Sequence, residues 1–436
     1  MGPPVNLTLL RQRNFGLLWW AGMISITGDW VLWIALPIYV LGLTGSPAAV
    51  SGVVLAGLLG TLLVGNAAGA YVDRWDRRRV LVAVNALQAV ALLPLLAVDS
   101  PGRVWIVVMV AFVESALAKF VGPAENALLP RLVTTEHLVA ANALNSLNNN
   151  IGRLVGLALG GVIAAVVGLG GAALVDAGTF AVAAGLSALI TGRHRADGGI
   201  ERRHLLRELA DGLRAIARNR IARAIVIFAT LTAVGEGMMS TLFAVFVTRA
   251  LDAGGREMGW LMSAQAVGGI LGSLAGARVA RRFRPVALAS TCMVLFGLID
   301  LAIFNYPRWS VLLWPVVVMF FLVGLPAGVA YAVVMTLFQV QTPDRLRGRV
   351  FAVLMVGQAV FGMVGAVVAG ALGQTVSVVT LLTVQGAGYV VAAVLLRLLA
   401  GRGPDSLAEP APVTHDHPLH HQPAARQPTP EETLRA

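Results

Sequence analysis

GAYVDR at residues 69–74 and GARVAR at residues 276–281 are the two stretches on which the reading of this chain turns. They lie 207 residues apart, and the same offset carries Gly28-Asp29 onto Gly235-Glu236. Working outward, EHLVAANA (136–143) corresponds in position to DRLRGRVF (344–351) at an offset of 208. VDAGTFAVAA (175–184) resembles VQGAGYVVAA (384–393) at an offset of 209. Four short matches in one order, with an offset that drifts by only two, point to an internal duplication.

The duplicated unit is apolar. Hydrophobic residues make up 57% of the 436 and charged residues 13%, about half the charged share of an ordinary soluble domain. The mean hydropathy is +0.78. A bilayer core needs about 20 apolar residues per helix. Spans of that size fall near 15–42, 48–70, 79–98, 104–121, 147–167 and 171–191, then 223–249, 257–278, 285–305, 310–336, 349–372 and 376–399. Six spans per copy put the copies in the same orientation, related by an axis along the membrane normal. Two such bundles enclose a cavity near the midplane. The expected fold is therefore an all-α membrane protein of twelve transmembrane helices in two pseudo-symmetric six-helix bundles.

The formal net charge of +11 would suit a nucleic-acid binder, but the arginines sit in short clusters between apolar runs. With the N-terminus placed in the cytoplasm, inside loops hold 23 arginines and outside loops hold only Arg103, Arg249, Arg256 and Arg308. The positive-inside rule then places both termini of a multi-pass protein in the cytoplasm, and the expected location is a prokaryotic plasma membrane. The expected domains are residues 1–191, the first bundle; 192–222, a cytoplasmic linker; 223–400, the second bundle; and 401–436, a disordered tail. Within the linker, Leu205, Leu206, Leu209, Leu213 and Ile216 recur at helical spacing. They imply a basic amphipathic helix on the cytoplasmic leaflet, with a solvated linker as the competing reading. The first apolar run is too long for a signal core and lacks a cleavage site, so it is expected to stay as the first span. The single cysteine, Cys292, excludes a disulfide framework. The tail histidines His415, His417, His420 and His421 have no partner ligands, and neither a metal nor a cofactor is expected.

The sequence resembles the major facilitator superfamily, and within it the exporter branch of drug, macrolide and enterobactin transporters. GAYVDRWDRRR (Gly69 to Arg79) resembles the superfamily's loop after the second span, with Asp76 where the general motif has a second glycine. VGPAENALLPRLV followed by HLVAANALNS is similar to that branch's fourth-to-fifth span loop. GRLVGLALGG (Gly152 to Gly161) resembles the antiporter motif of the fifth span, with Leu157 in place of the usual proline. The resemblance implies that Gly69, Asp73, Arg74, Arg77 and Arg78 form a gating charge relay between helix ends. It also implies that Gly152, Gly156, Gly160 and Gly161 form a helix-packing surface, in keeping with the four-residue spacing of small side chains. Gly268, Gly272 and Gly276 repeat that spacing in the second half.

Carboxylates inside spans cost about 2.5–3.5 kcal/mol on insertion scales, so each needs a reason. Asp29 and Glu236 fall mid-span at symmetric positions, and Glu114 is a third candidate. They are candidates for proton coupling or substrate contact, against the competing reading of structural hydrogen bonds. Lys119 lies five residues beyond Glu114, off the ideal pairing distance. Asp176 and Asp300 are read as structural, nearer the outer ends of their spans. Arg153 is read as an anchor opening the fifth span. Trp30, Trp33, Met238, Met239 and Phe243 are expected to line the cavity with polarisable, adaptable surface.

These features point to a secondary transporter that exports a hydrophobic or amphipathic small molecule, such as a drug, macrolide or siderophore. Protons are the expected coupling ion, membrane lipid the surroundings, and a monomer the working unit. An importer or facilitator of a polar nutrient is the alternative, but it calls for more intramembrane hydrogen-bonding groups. A multispanning enzyme or sensor is the reading from another class. It lacks support, since the sequence carries no phosphate-binding glycine loop, no HExxH and no ligands at metal spacing.

Overall fold

A computed structural model describes residues 7–72, 74–192, 205–280, 282–342 and 344–401. Among these, eleven helices are long and apolar enough to cross a membrane. In chain order the helices are α1 (Arg13–Thr44), α2 (Pro47–Val72), α3 (Arg77–Ala91), α4 (Val104–Leu132), α5 (Leu138–Ala188) and α6 (Leu205–Arg218). They continue with α7 (Arg220–Arg249), α8 (Gly255–Val279), α9 (Pro285–Asn305), α10 (Leu313–Gln341), α11 (Asp344–Leu372) and α12 (Val378–Ala400).

The fifth and sixth expected spans are one element. At 51 residues, α5 is about 75 Å of helix, more than two bilayer cores. The element breaks at Gly168, whose φ of 62° and ψ of −165° are non-helical. That backbone region is essentially restricted to glycine. The break makes two arms, 138–167 and 169–188, and restores twelve crossings. The first arm also starts nine residues before the apolar window placed it. Asparagine side chains permit this by bonding carbonyls one turn back: Asn142 to Leu138 (2.8 Å), Asn149 to Asn145 (2.9 Å) and Asn150 to Ser146 (2.8 Å). A polar run thus continues a helix that composition alone ends. Likewise α4 runs on to Leu132 through Pro123 and Pro130, well past the expected end at 121.

The duplication is repeated in packing. A Cβ on Gly28 would collide with Asp176 and Thr179, and one on Gly235 would crowd Gln385 and Tyr389. Gly156 lies against the carbonyl of Thr27, and Gly365 lies against that of Val234. Gly60 meets the carbonyl of Phe112, and Gly268 meets that of Phe321. The glycines and their partners move along the sequence by 207 to 209 residues, except that Tyr389 stands one position beyond the counterpart of Thr179. Three helix pairs of the first half are therefore rebuilt in the second, with a glycine at each crossing.

Helices α1 and α12 begin and end, respectively, on one face of the molecule, called here the tail face; the opposite face is the far face. One large apolar core spans both halves towards the far face, joining Ile34, Val40 and Val50 to Phe243, Phe246, Leu261 and Ala369. Towards the tail face the core divides. Leu18, Val72, Val80 and Leu128 cluster within the first half, while Ile225, Phe228, Phe338 and Leu396 cluster within the second. Hydrogen bonds across the halves also lie at the far end: Ser51 Oγ donates to Ala366 O (2.7 Å), Gln374 Nε2 to Ser46 Oγ (2.9 Å) and Arg249 Nη2 to Gly45 O (2.5 Å). At the tail end of α2 and of α11, a Cβ added to Gly69 or Gly348 would meet nothing within 4 Å. The halves thus form a cleft sealed at the far face and open at the tail face.

Within the linker, residues 205–218 form α6, and α11 covers its inward side. Ile216 is buried, Gly212 abuts the Arg349 backbone and Val353, and Arg349 Nη1 lies 2.9 Å from Asp211 Oδ2. Leu213 alone among the assignable apolar positions is exposed. Cys292 is buried within the second half. The four tail histidines lie outside the described residues.

Candidate functional site

At mid-height, where the cleft narrows, charged side chains from both halves converge. Asp29 is midway along α1 and Glu236 midway along α7. Neither side chain is covered by packed neighbours, and hydrocarbon tolerates a mid-membrane carboxylate poorly, which favours the cleft side for both. The cation that acts on Asp29 is Lys119 of α4. Glu236 accepts a 3.0 Å hydrogen bond from the Tyr389 hydroxyl of α12. Its opposing cation is Arg153 of α5, on the other half. The Arg153 guanidinium also lies over the Trp30 ring, 5.5 Å from its centroid, within range for a cation–π contact. A line of interacting groups therefore joins the halves, from Trp30 through Arg153 to Glu236 and Tyr389.

A second layer supports this line. Asp176 is buried and accepts a 3.1 Å hydrogen bond from Thr179 Oγ1, directly behind Gly28. Glu114 accepts a 2.9 Å bond from Gln88 Nε2, which leaves Lys119 to Asp29. Asp300 is buried in the second half, within electrostatic reach of Glu236 and Tyr389. Asp176 and Asp300 are thus enclosed by protein, where the sequence suggested hydrated span ends. Nearer the tail face, Glu125 and Asn148 flank Gly22, and Asn148 Nδ2 donates to Trp19 O at 2.6 Å.

Two aromatic and sulfur positions require correction. Phe243 and Met238 are buried in the joint core, with the Phe243 ring 5.5 Å from that of Phe320. Packing between helices removes them from the cleft wall. Trp30 and Met239 are half-buried and Trp33 is exposed, with the two tryptophan rings edge to face at 5.4 Å.

Of the loop residues, Asp73 lies outside those described. Arg74 is exposed, Arg77 is buried at the start of α3, and Arg78 donates to the carbonyl of Ala188 at the end of α5. Asp76 accepts from Arg79 N at 3.1 Å and caps α3, which gives its departure from the general motif a local purpose. On the glycine face, Gly152 meets Ile26, Gly156 meets Thr27 and Trp30, and Gly160 meets Val31. Gly161 turns to the other half and touches Gly255, Arg256 and Gly259.

The family model described as "transmembrane secretion effector", of the major facilitator group, matches residues 5–426. The chain belongs to that family. The transporter is 30% identical over 381 residues to the multidrug efflux pump Tap of Mycobacterium tuberculosis, covering 83% of this chain and 88% of Tap. It is 26% identical to the enterobactin exporter EntS of Citrobacter koseri, covering 95% and 98% of the two chains. In structure it resembles the nucleoside transporter NupG with a TM-score of 0.72 and 14% identity, covering 88% of this chain and 98% of NupG. That likeness supports the fold. The family is one of transporters rather than enzymes.

Sequence reading missed Arg153, Lys119 and Tyr389 as members of the site. For Tyr389 a signal was present, since the 209-residue offset carries Phe180 onto it. Arg153 lies fifteen residues inside α5, too deep to serve as an anchor at a span's start.

Proposed function

We propose that this transporter exports a hydrophobic or amphipathic small molecule across a prokaryotic plasma membrane by alternating access, driven by protons, as a monomer with both termini in the cytoplasm. The reading is carried by Glu236 of one half, which accepts a hydrogen bond from Tyr389 and lies within electrostatic reach of Arg153 of the other half, whose guanidinium sits over Trp30. A proton taken up by Glu236 removes the charge that faces Arg153 and loosens a link between the halves. Substrate release and proton uptake thereby act on one conformational equilibrium, with a coupling of about 1–3 kcal/mol typical of such linkage. Asp29 and Lys119 offer the first half a similar charge pair, and Glu114 stands behind them as a third acidic candidate.

Several observations support the direction. The arginine distribution supports a cytoplasmic tail face, which would open the cleft to the compartment from which an exporter loads. Trp30, Trp33 and Met239 give an apolar ligand adaptable contact. To discharge, the tail face must close, bringing the Gly69–Arg79 loop to α11, while the seam of Gly161 with Gly255 and Gly259 parts. Tap and EntS, by their names, export a range of drugs and enterobactin respectively, and both fit a substrate of this class.

The test is accumulation of candidate drugs, macrolides and siderophores in cells with and without the protein, repeated after the proton gradient is collapsed. Lower accumulation that rises on collapse supports proton-driven export. Equal accumulation of every compound in both strains refutes it.

A further inference from the structure

A cavity of about 600 Å³ opens at the tail face between α6, α7, α10 and α11, remote from the cleft centre. Its polar lining includes Arg214, Arg218, Arg349, Asp211 and Asn219, with Ile216, Ala222, Leu346 and Val350 forming apolar wall. Asp211 is held between Arg349 (2.9 Å) and Arg214 (3.2 Å). Three guanidinium groups against one carboxylate leave two positive charges in excess. Asn219 Nδ2 bonds to Gln341 O at 3.0 Å and joins α7 to the end of α10.

The depth of the cavity identifies the ligand chemistry. Apolar spans start at Arg220 and Gly348 and one stops at Gln341. The cavity is bounded by these three ends, so it sits where hydrocarbon gives way to headgroups. A basic recess at that level, with apolar walls leading inward, matches a phosphodiester carried on an acyl glycerol. A soluble anion would use the guanidinium groups but not the apolar wall.

We infer that this cavity binds the headgroup of an anionic phospholipid, with Arg214 and Arg218 as its charge contacts and the half-buried Leu346 beside the glycerol. Such a lipid clamps the linker helix α6 to α11, one of the helices that must swing when the cleft closes.

The experiment uses the full chain, purified and reconstituted in nanodiscs of phosphatidylcholine doped with phosphatidylglycerol, with retained lipid counted by native mass spectrometry and thermal unfolding measured in parallel. Phosphatidylglycerol should be retained over phosphatidylcholine and should raise the unfolding temperature. Arg214→Gln with Arg218→Gln should weaken retention about thirtyfold, as two cations near an anionic surface imply. Arg103→Gln with Arg308→Gln, an equal charge loss on the far face, should leave it unchanged. Equal retention by both double variants, or no preference between lipids, overturns the proposal. Displacement of the lipid by millimolar inorganic phosphate overturns it in favour of a free-phosphate site.

Discussion

Tyr389 donates a 3.0 Å hydrogen bond to Glu236, and the same carboxylate faces Arg153 of the opposite half. One side chain thus has a partner that stays with it and another that must move away when the cleft rearranges. Glu236→Gln keeps the shape and an acceptor for the phenol but removes the charge that Arg153 faces. Transport of an exported dye into everted vesicles should fall about tenfold or more, a loss of about 1.4 kcal/mol or greater. Arg153→Gln should do the same. The double variant should be no worse than the more severe single one, because the two act as a unit. Losses that multiply would show that they act separately.

Closure at the far face predicts a crosslinking pattern. Gln374 reaches Ser46 at 2.9 Å, whereas Gly69 and Gly348 face open space at the tail end. Cysteines at 46 and 374, in a Cys292→Ser background, should join rapidly with a short bifunctional reagent and arrest transport. A pair at 69 and 348 should join only when substrate or a proton gradient populates the tail-closed state. Fast joining of the second pair in the resting protein would contradict the open cleft.

Much of the fold was legible because membrane spans advertise themselves by composition and because duplication preserves the small residues at helix crossings. Gly28 and Gly235 were paired from the sequence alone, and each packs against the later helix of its own half. The site was less legible. Hydropathy begins the fifth span at 147, since the stretch before it, with Glu136, His137, Asn142 and Asn145, is too polar for an apolar window, and Arg153 therefore looks terminal. Asn142, Asn149 and Asn150 donate to carbonyls of their own helix and Asn148 to Trp19, so the helix starts earlier and Arg153 lies deep. Phe243 and Met238 were misplaced for a different reason. Their types suit a ligand wall and a packed core equally well, and only the packing of neighbouring helices decides between them, α10 through Phe320 in the case of Phe243.

The turn at Gly168 gives a stability prediction. Its φ of 62° with ψ of −165° is closed to residues with a Cβ even though no atom lies within 4 Å of the added group. Gly168→Ala should cost about 1–3 kcal/mol and lower the unfolding temperature by several degrees. Gly178→Ala in the same helix also has space around it but has helical backbone, and should be neutral or stabilising by up to about 1 kcal/mol. Thermal unfolding of the two variants in one detergent separates backbone strain from crowding. Equal melting temperatures would remove the strain argument.

Asp76 permits a separation of structure from gating within the Gly69–Arg79 loop. Its carboxylate accepts from Arg79 N at 3.1 Å and caps α3, a role that asparagine fills as well as aspartate and alanine does not. Asp76→Ala should therefore cost about 1 kcal/mol of stability, with Asp76→Asn close to the parent. If capping is its whole contribution, transport per folded molecule should be the same in the parent and in Asp76→Asn. A carboxylate that also takes part in closing the tail face needs its charge, because it must then pair with arginines that approach during closure. In that case Asp76→Asn would unfold like the parent yet transport more slowly, and the 69 and 348 cysteine pair would join less readily in its background. Measuring unfolding, transport and crosslinking on the same two variants thus assigns this aspartate either to the helix start or to the gate.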